Sequence, residues 1–182
     1  MSSFVDASFA GDLRDSKSTS GSYLVLIGPN TCVPIGWFCK KQGAVSHSST
    51  EAEIISLDAG LRMEGIPALA LWEVIVDVLG APSKTRKLVS GRPDDLKVKP
   101  KSESQKFVES IDYVPCNIPP SSGNGRLCLL EDNDAVIKMT VKGRAPNMRH
   151  VMRTHRVDLD FLFERITEDP GIFIRYVSTK VS

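Results

Sequence analysis

The chain has 182 residues, 41% hydrophobic and 25% charged, which suffices for one well-buried domain and excludes disorder throughout. A formal net charge of +1 excludes a surface that is basic all round, so any contact with a phosphate backbone has to be local. Four cysteines without a C-x-x-C pair (Cys32, Cys39, Cys116, Cys128) read as reduced thiols of an intracellular protein, not as a disulfide framework.

Residues 3–8 (SFVDAS) predict a short strand ending in a polar turn, and residues 11–21 are polar and turn-rich. The continuous apolar run Tyr23 to Ile27 is expected of a strand buried on both faces, and Gly28-Pro29-Asn30 follows as a turn. Val33, Ile35, Trp37 and Cys39 then recur at the strand period, and Pro34, which has no N–H to donate, places that strand at a sheet edge. Ser48 and Glu51 fit a capping box that opens a long helix, kinked or restarted near Pro67 and ended at Gly80. Its helically spaced positions include Ile54, Ile55, Leu61, Leu71, Trp72, Ile75 and Leu79.

Residues 81–125 change character, with lysines, serines and six prolines, and read as an irregular insertion carrying a short helix around Gln105 to Ile111. Regular structure is predicted to resume with a buried strand at Leu127 to Leu130 and a helix through Ala135 to Val141. A second helix follows over Val151 to Ile166, and a last strand over Ile172 to Val177. The longest apolar stretch, 68–79, is broken by Glu73 and Asp77, and the first twenty residues lack a secretory signal core, so a membrane span and a leader are not expected. The order of elements points to an α/β domain with a mixed sheet.

If the first and fourth strands are parallel neighbours, Asp6 and Asp132 meet at their carboxyl ends, roughly 5 Å apart, where open α/β sheets gather ligands. Two carboxylates so close repel unless a cation neutralises them, and oxygen-only ligands suit magnesium or manganese. Glu53 stands in the first turns of the long helix, where Thr50-x-x-Glu53 also forms a capping box; the pattern leaves both roles open. Asp12, Asp15 and Asp134 read as turn and cap residues. The segment from Lys138 to Arg156 has six Lys or Arg and two His with no acid, which is either a solvated basic face or a phosphate-contacting surface. His150 and His155, five apart and without a nearby cysteine, are poorly spaced for zinc. His47 within the serine cluster 46–50 supplies no oriented triad, and no phosphate loop occurs.

GDLRDSKSTSGSYLVLIG, then PIGWFCKKQGAVSHSSTEAEIISL, resembles the ribonuclease H domain of copia-type (LTR) retrotransposon Pol polyproteins. LEDNDAVIKM is similar to that family's aspartate-asparagine turn, and RTHRVDLDFLFERI to a helix it carries. The resemblance covers about residues 4–80 and 126–178. It implies an α/β, ribonuclease H-like mixed five-stranded sheet with helices on both faces. The whole of 1–182 is then a single domain, with the insertion at about 81–125. Asp6, Glu53 and Asp132 take the places of catalytic, metal-holding acids, and two Mg2+ ions (or Mn2+) are the implied cofactors. Asn133, Arg149 and Arg153 are the candidate nucleic-acid contacts.

The implied activity is metal-dependent cleavage of the RNA strand of RNA–DNA hybrids during reverse transcription. The hybrid and a reverse transcriptase domain of the same polyprotein are the partners, in the cytoplasm or within a virus-like particle. The family carries a fourth acid shortly after the last strand, whereas YVSTKVS reaches Ser182 without one, which reads as a truncated C-terminal end. Asp158 matches an aspartate of the family's helix and is not counted as a ligand. The alternative function is a catalytically weak or inactive nucleic-acid-binding domain on the same fold.

Overall fold

Ser3, Val5 and Ala7 are buried while Phe4, Asp6 and Ser8 are exposed, the alternation of a strand covered on one face only. This is β1 (Ser2–Ser8), the centre of a five-stranded sheet. The computed structural model describes residues 1–80, 119–143, 145 and 148–178. The chain divides into two compact units, Met1–Leu79 with Pro120–Ser182, and Gly80–Pro119, and the description that follows concerns the first. Most of the predicted insertion, with its short helix around Gln105 to Ile111 and Cys116, lies outside the described residues.

The sheet runs β3-β2-β1-β4-β5, with β2 at Thr19–Gly28, β3 at Thr31–Lys41, β4 at Leu127–Glu131 and β5 at Ile172–Tyr176. β1, β2 and β3 pair antiparallel, and β1, β4 and β5 pair parallel. Ser3 lies opposite Leu129 and Phe4 opposite Leu130, so the carboxyl ends of β1 and β4 emerge side by side. Pro34 does sit on an edge strand. The register slips beside it, between Leu24 and Val25 of β2, because Ile35 is bulged out where proline cannot donate.

Among the described residues there are five α-helices. α1 (Ser49–Gly60) is capped by Ser48, whose hydroxyl accepts from the Glu51 N–H. A wide π turn over Leu61–Gly65 leads into α2 (Ile66–Leu79). Pro67 explains the interruption: its ring displaces the carbonyl four residues earlier, at Met63, and a widened turn absorbs the clash. α3 (Asp134–Lys142), α4 (Arg149–His155) and α5 (Leu159–Glu168) complete the unit. The core joins Val5, Leu24, Leu127 and Leu129 of the sheet to Ile54 and Leu57 of α1, Val136 of α3, Val151 of α4 and Leu162 of α5. At Gly60 a Cβ would come within 2.9 Å of Val5 Cγ1, so the missing side chain sets how closely α1 lies on the sheet.

Two expectations are corrected, on β2 and on the helix predicted over 151–166. The run Tyr23 to Ile27 is buried only at Leu24 and Val25; Tyr23 and Ile27 are exposed, since the core lies on one face of β2. On β3 Val33, Ile35 and Trp37 are all exposed, so the strand period there marks no buried face. α2 buries Ile66 and Leu69 but leaves Leu71 and Leu79 exposed. The single helix predicted over 151–166 is two, broken where Arg156 takes a left-handed conformation at φ 57° and Asp158 caps α5 by accepting from the Phe161 N–H. Among the described residues, helices enter the core from the Val5 face. On the opposite face Phe4, Tyr23 and Trp37 are exposed.

Candidate metal centre

Asp6 comes from the last residues of β1, Asp132 is the residue after β4, and Glu53 comes from the first turns of α1. The parallel register of β1 and β4 aligns the two aspartates, and α1 crosses above them, anchored by Ser56, whose hydroxyl donates to the Asp6 carbonyl at 2.7 Å. One carboxylate oxygen from each of Asp6, Glu53 and Asp132 lies within 4.8 Å of the other two. Asp6 is exposed, Asp132 is half-buried and Glu53 is buried. The three residues therefore form a cup of oxygens that opens to solvent on the aspartate side.

The capping ambiguity at Glu53 is resolved by geometry. Ser48 is the N-cap and Glu51 follows it, so Glu53 is not used in a cap. Burial pushes the Glu53 carboxyl up to about 8, and the charges of Glu131, Asp6 and Asp132 push in the same direction; an N–H from Ala7 offsets part of this. Its Oε2 is buried without a hydrogen-bond partner.

Glu131 was not singled out by sequence. It is the last residue of β4 and continues the inward-facing series Leu127, Leu129, so its carboxylate is fully buried on the core face. Burial raises it to about 7, with Asp132 and Asp6 adding to the rise and the Asn133 N–H, which donates to Oε1 at 3.1 Å, opposing it. Its Oε2 also lacks a partner. The available signal was local: an acid at an inward position of a buried strand is costly unless something compensates it.

Two buried carboxylates with raised pKa values, two unpartnered oxygens and an all-oxygen donor set fit a hard divalent cation. The sheet that carries these residues is mixed and five-stranded, as the resemblance leads one to expect. A stretch of 57 residues is 46% identical to the Retrovirus-related Pol polyprotein from transposon RE2 of Arabidopsis thaliana, and another comparison of that length and identity holds for transposon RE1 of the same plant. Over that stretch the chain is similar to retrotransposon Pol polyproteins.

The matched stretch is 31% of the chain and 4% of either polyprotein, so the chain spans a small fraction of these relatives' length. The crystal structure of RNase H1 from the halophilic archaeon Halobacterium salinarum NRC-1 aligns with 98% of this chain and 85% of its own, at 13% identity and a TM-score of 0.46. No family model matches.

The remaining candidates fall in different places. Asn133 is the N-cap of α3; its side-chain oxygen accepts from the Ala135 N–H at 3.0 Å. Arg153 is exposed on α4, whereas the side chain of Arg149 lies outside those described. Asp158 is occupied as the α5 cap. Asp12 and Asp15 form turn hydrogen bonds and pair with Lys41, and Asp134 pairs with Lys138. Cys32, Cys39 and Cys128 are free thiols, and no described helix is long and apolar enough to cross a membrane.

Proposed function

We propose that the domain is a metal-dependent endonuclease that cuts the RNA strand of RNA–DNA hybrids during retrotransposon reverse transcription. The observation that carries this reading is the convergence of Asp6, Glu53 and Asp132, from three elements far apart in sequence, within 4.8 Å at the carboxyl ends of two parallel strands. These three residues would hold two Mg2+ ions, or Mn2+, which when bound supply an activated water and stabilise the leaving oxygen.

The chain's own groups prepare that site. Asp6 and Asp132 present their oxygens on the open side, where a scissile phosphate has access. Glu53, held against β1 by the Ala7 N–H, keeps a proton at neutral pH until a cation displaces it, and Glu131 backs the site from the core. The hybrid would be recognised mainly by its shape and 2′-hydroxyls, with Arg153 and Arg149 as phosphate contacts from α4 and Asn133 beside Asp132. In the element's life cycle the domain would act beside a reverse transcriptase of the same polyprotein, in the cytoplasm or a virus-like particle.

The test is cleavage of an end-labelled RNA–DNA hybrid by the purified chain, with magnesium, manganese and EDTA in parallel. Metal-dependent cutting of the RNA strand is expected, reduced at least ~100-fold by Glu53→Gln and by Asp132→Asn, as for loss of a principal electrostatic group. Hybrid binding without cutting would overturn the catalytic reading and leave a nucleic-acid-binding domain. Cutting that survives both substitutions would remove these acids from the site.

A further inference from the structure

All three histidines of the chain converge on one carboxylate outside the nuclease centre. Glu51 is in the first turn of α1, two residues before Glu53, and residues so spaced on a helix do not share a face. His47 precedes the Ser48 cap, and its Nδ1 lies 3.3 Å from Glu51 Oε2. His150, in the first turn of α4, places Nε2 3.1 Å from the same oxygen. The two rings meet edge to face, with centroids 5.1 Å apart. His155, at the end of α4, reaches the other oxygen, Oε1, at 3.1 Å.

Hydrogen bonding alone leaves this arrangement incomplete. Oε2 already accepts the His47 backbone N–H at 2.9 Å, a departure from the reciprocal capping box, in which the glutamate bonds the cap residue itself. Oε1 and His155 Nε2, both buried, are close but not aligned as a hydrogen bond and have no other partner. The His155 and Glu51 side chains are each 2% exposed, whereas His47 is 70% and His150 42% exposed. One side of the group is thus fixed in the protein and the other open to solvent.

We propose that His47 Nδ1, Glu51 Oε2 and His150 Nε2 form a binding site for a borderline-soft divalent ion of the zinc class, with His155 orienting the glutamate through Oε1. These three donor atoms lie within 4.8 Å of one another. Two of their separations, 3.1 and 3.3 Å, are close to the roughly 3.3 Å edge of a tetrahedron with bonds near 2.0 Å. Two imidazoles and one carboxylate with an open fourth position is a zinc donor set, and imidazole nitrogen discriminates against magnesium. The acids around Glu53 offer oxygen alone, so the two faces of α1's first turns select different metals. A bound ion ties α4 to α1. Sequence spacing concealed the site because His47 and His150 are 103 residues apart (150 minus 47) and α4 supplies only one of the ligands.

The full chain is loaded with Zn2+, dialysed in the presence of excess Mg2+, and its retained zinc measured. Cobalt substitution reports coordination by its visible absorption. One zinc per chain is expected, with a four-coordinate cobalt spectrum. A His47→Ala/His150→Ala double variant changes only two exposed side chains; circular dichroism should show it folded, with affinity reduced by more than the roughly 100-fold that loss of an outer-shell partner can reach. Asp6→Asn/Asp132→Asn should keep the zinc. The proposal is overturned if the wild type retains none, if the folded double variant retains as much, or if only the aspartate variant loses it. The last two results would leave the three histidines as polar neighbours of Glu51 and no metal site.

Discussion

Glu53 combines two opposing demands: its side chain is buried, and the nearest ionisable neighbours carry its own sign. Its carboxyl rises from 4.5 in an unstructured chain to about 8 in the fold. A folded-state value above the unfolded one means that the protonated form is favoured by folding. The stabilising contribution is therefore complete below about 4.5 and is lost as pH rises through about 8. Glu131, raised to about 7, acts with the same sign. In metal-free protein the melting temperature should fall across that interval. Glu53→Gln, which cannot ionise, should flatten the fall, and Mg2+ or Mn2+ should restore the wild type at the alkaline end by binding the folded state. Thermal melts of both proteins at a series of pH values, with and without metal, provide the check. Parallel pH dependences in metal-free wild type and variant would show that Glu53 ionises without cost.

Among elements, Asp169, in the turn between α5 and β5, is a local tie. Its buried carboxylate accepts from the N–H and hydroxyl of Ser121 and from the Gly171 N–H, and pairs with Arg165 at 3.4 Å. One side chain thus joins α5, β5 and the strand-entry segment before β4. Asp169→Ala should destabilise the fold by about 3–5 kcal/mol, the cost of breaking one side of a buried pair. Glu73 of α2 holds the same segment through Ser122, Gly123 and Gly125 but is more exposed, so Glu73→Ala should cost only ~1–2 kcal/mol. Urea unfolding of the two variants tests the ranking, which equal losses would contradict. Elements of this kind differ in how far sequence displays them. The Ser48 cap, the edge position of Pro34 and the restart near Pro67 were legible because each depends on residues within one turn. The break at Arg156 was not, because Val157, Leu159, Leu162 and Phe163 maintain helical spacing across it. The partnership of Asp6 with Asp132 followed from parallel strand order. The burial of Glu131 required knowing which face of β4 the helices cover.

At the scale of the whole molecule, a net charge of +1 conceals separation of charge. Four acids, Asp6, Glu53, Glu131 and Asp132, gather at one end of the sheet, while the chain from Lys138 to Arg156 contains no acid. α4 lies within that basic segment and is tethered through His150 to the first turn of α1, the helix that carries Glu53. The field around the candidate centre is thereby uneven: acids where cations would bind, and arginine on an adjoining helix where a phosphate backbone would pass. Arg153 and Lys138 are not equivalent in this arrangement. Lys138 is paired with Asp134, which cancels most of its charge at a distance, and Arg153 is exposed. Each phosphate contact releases counterions, so Arg153→Ala should weaken hybrid binding and reduce the slope of log affinity against log salt by about 1, while Lys138→Ala should change the slope little. The effect should be the same for hybrids of unrelated sequence, because backbone contacts position without specifying. Titrations in EDTA at several salt concentrations separate binding from cleavage. A slope unchanged in Arg153→Ala would place the hybrid away from α4, and it would leave the acidic centre as the only part of the proposed interface still supported.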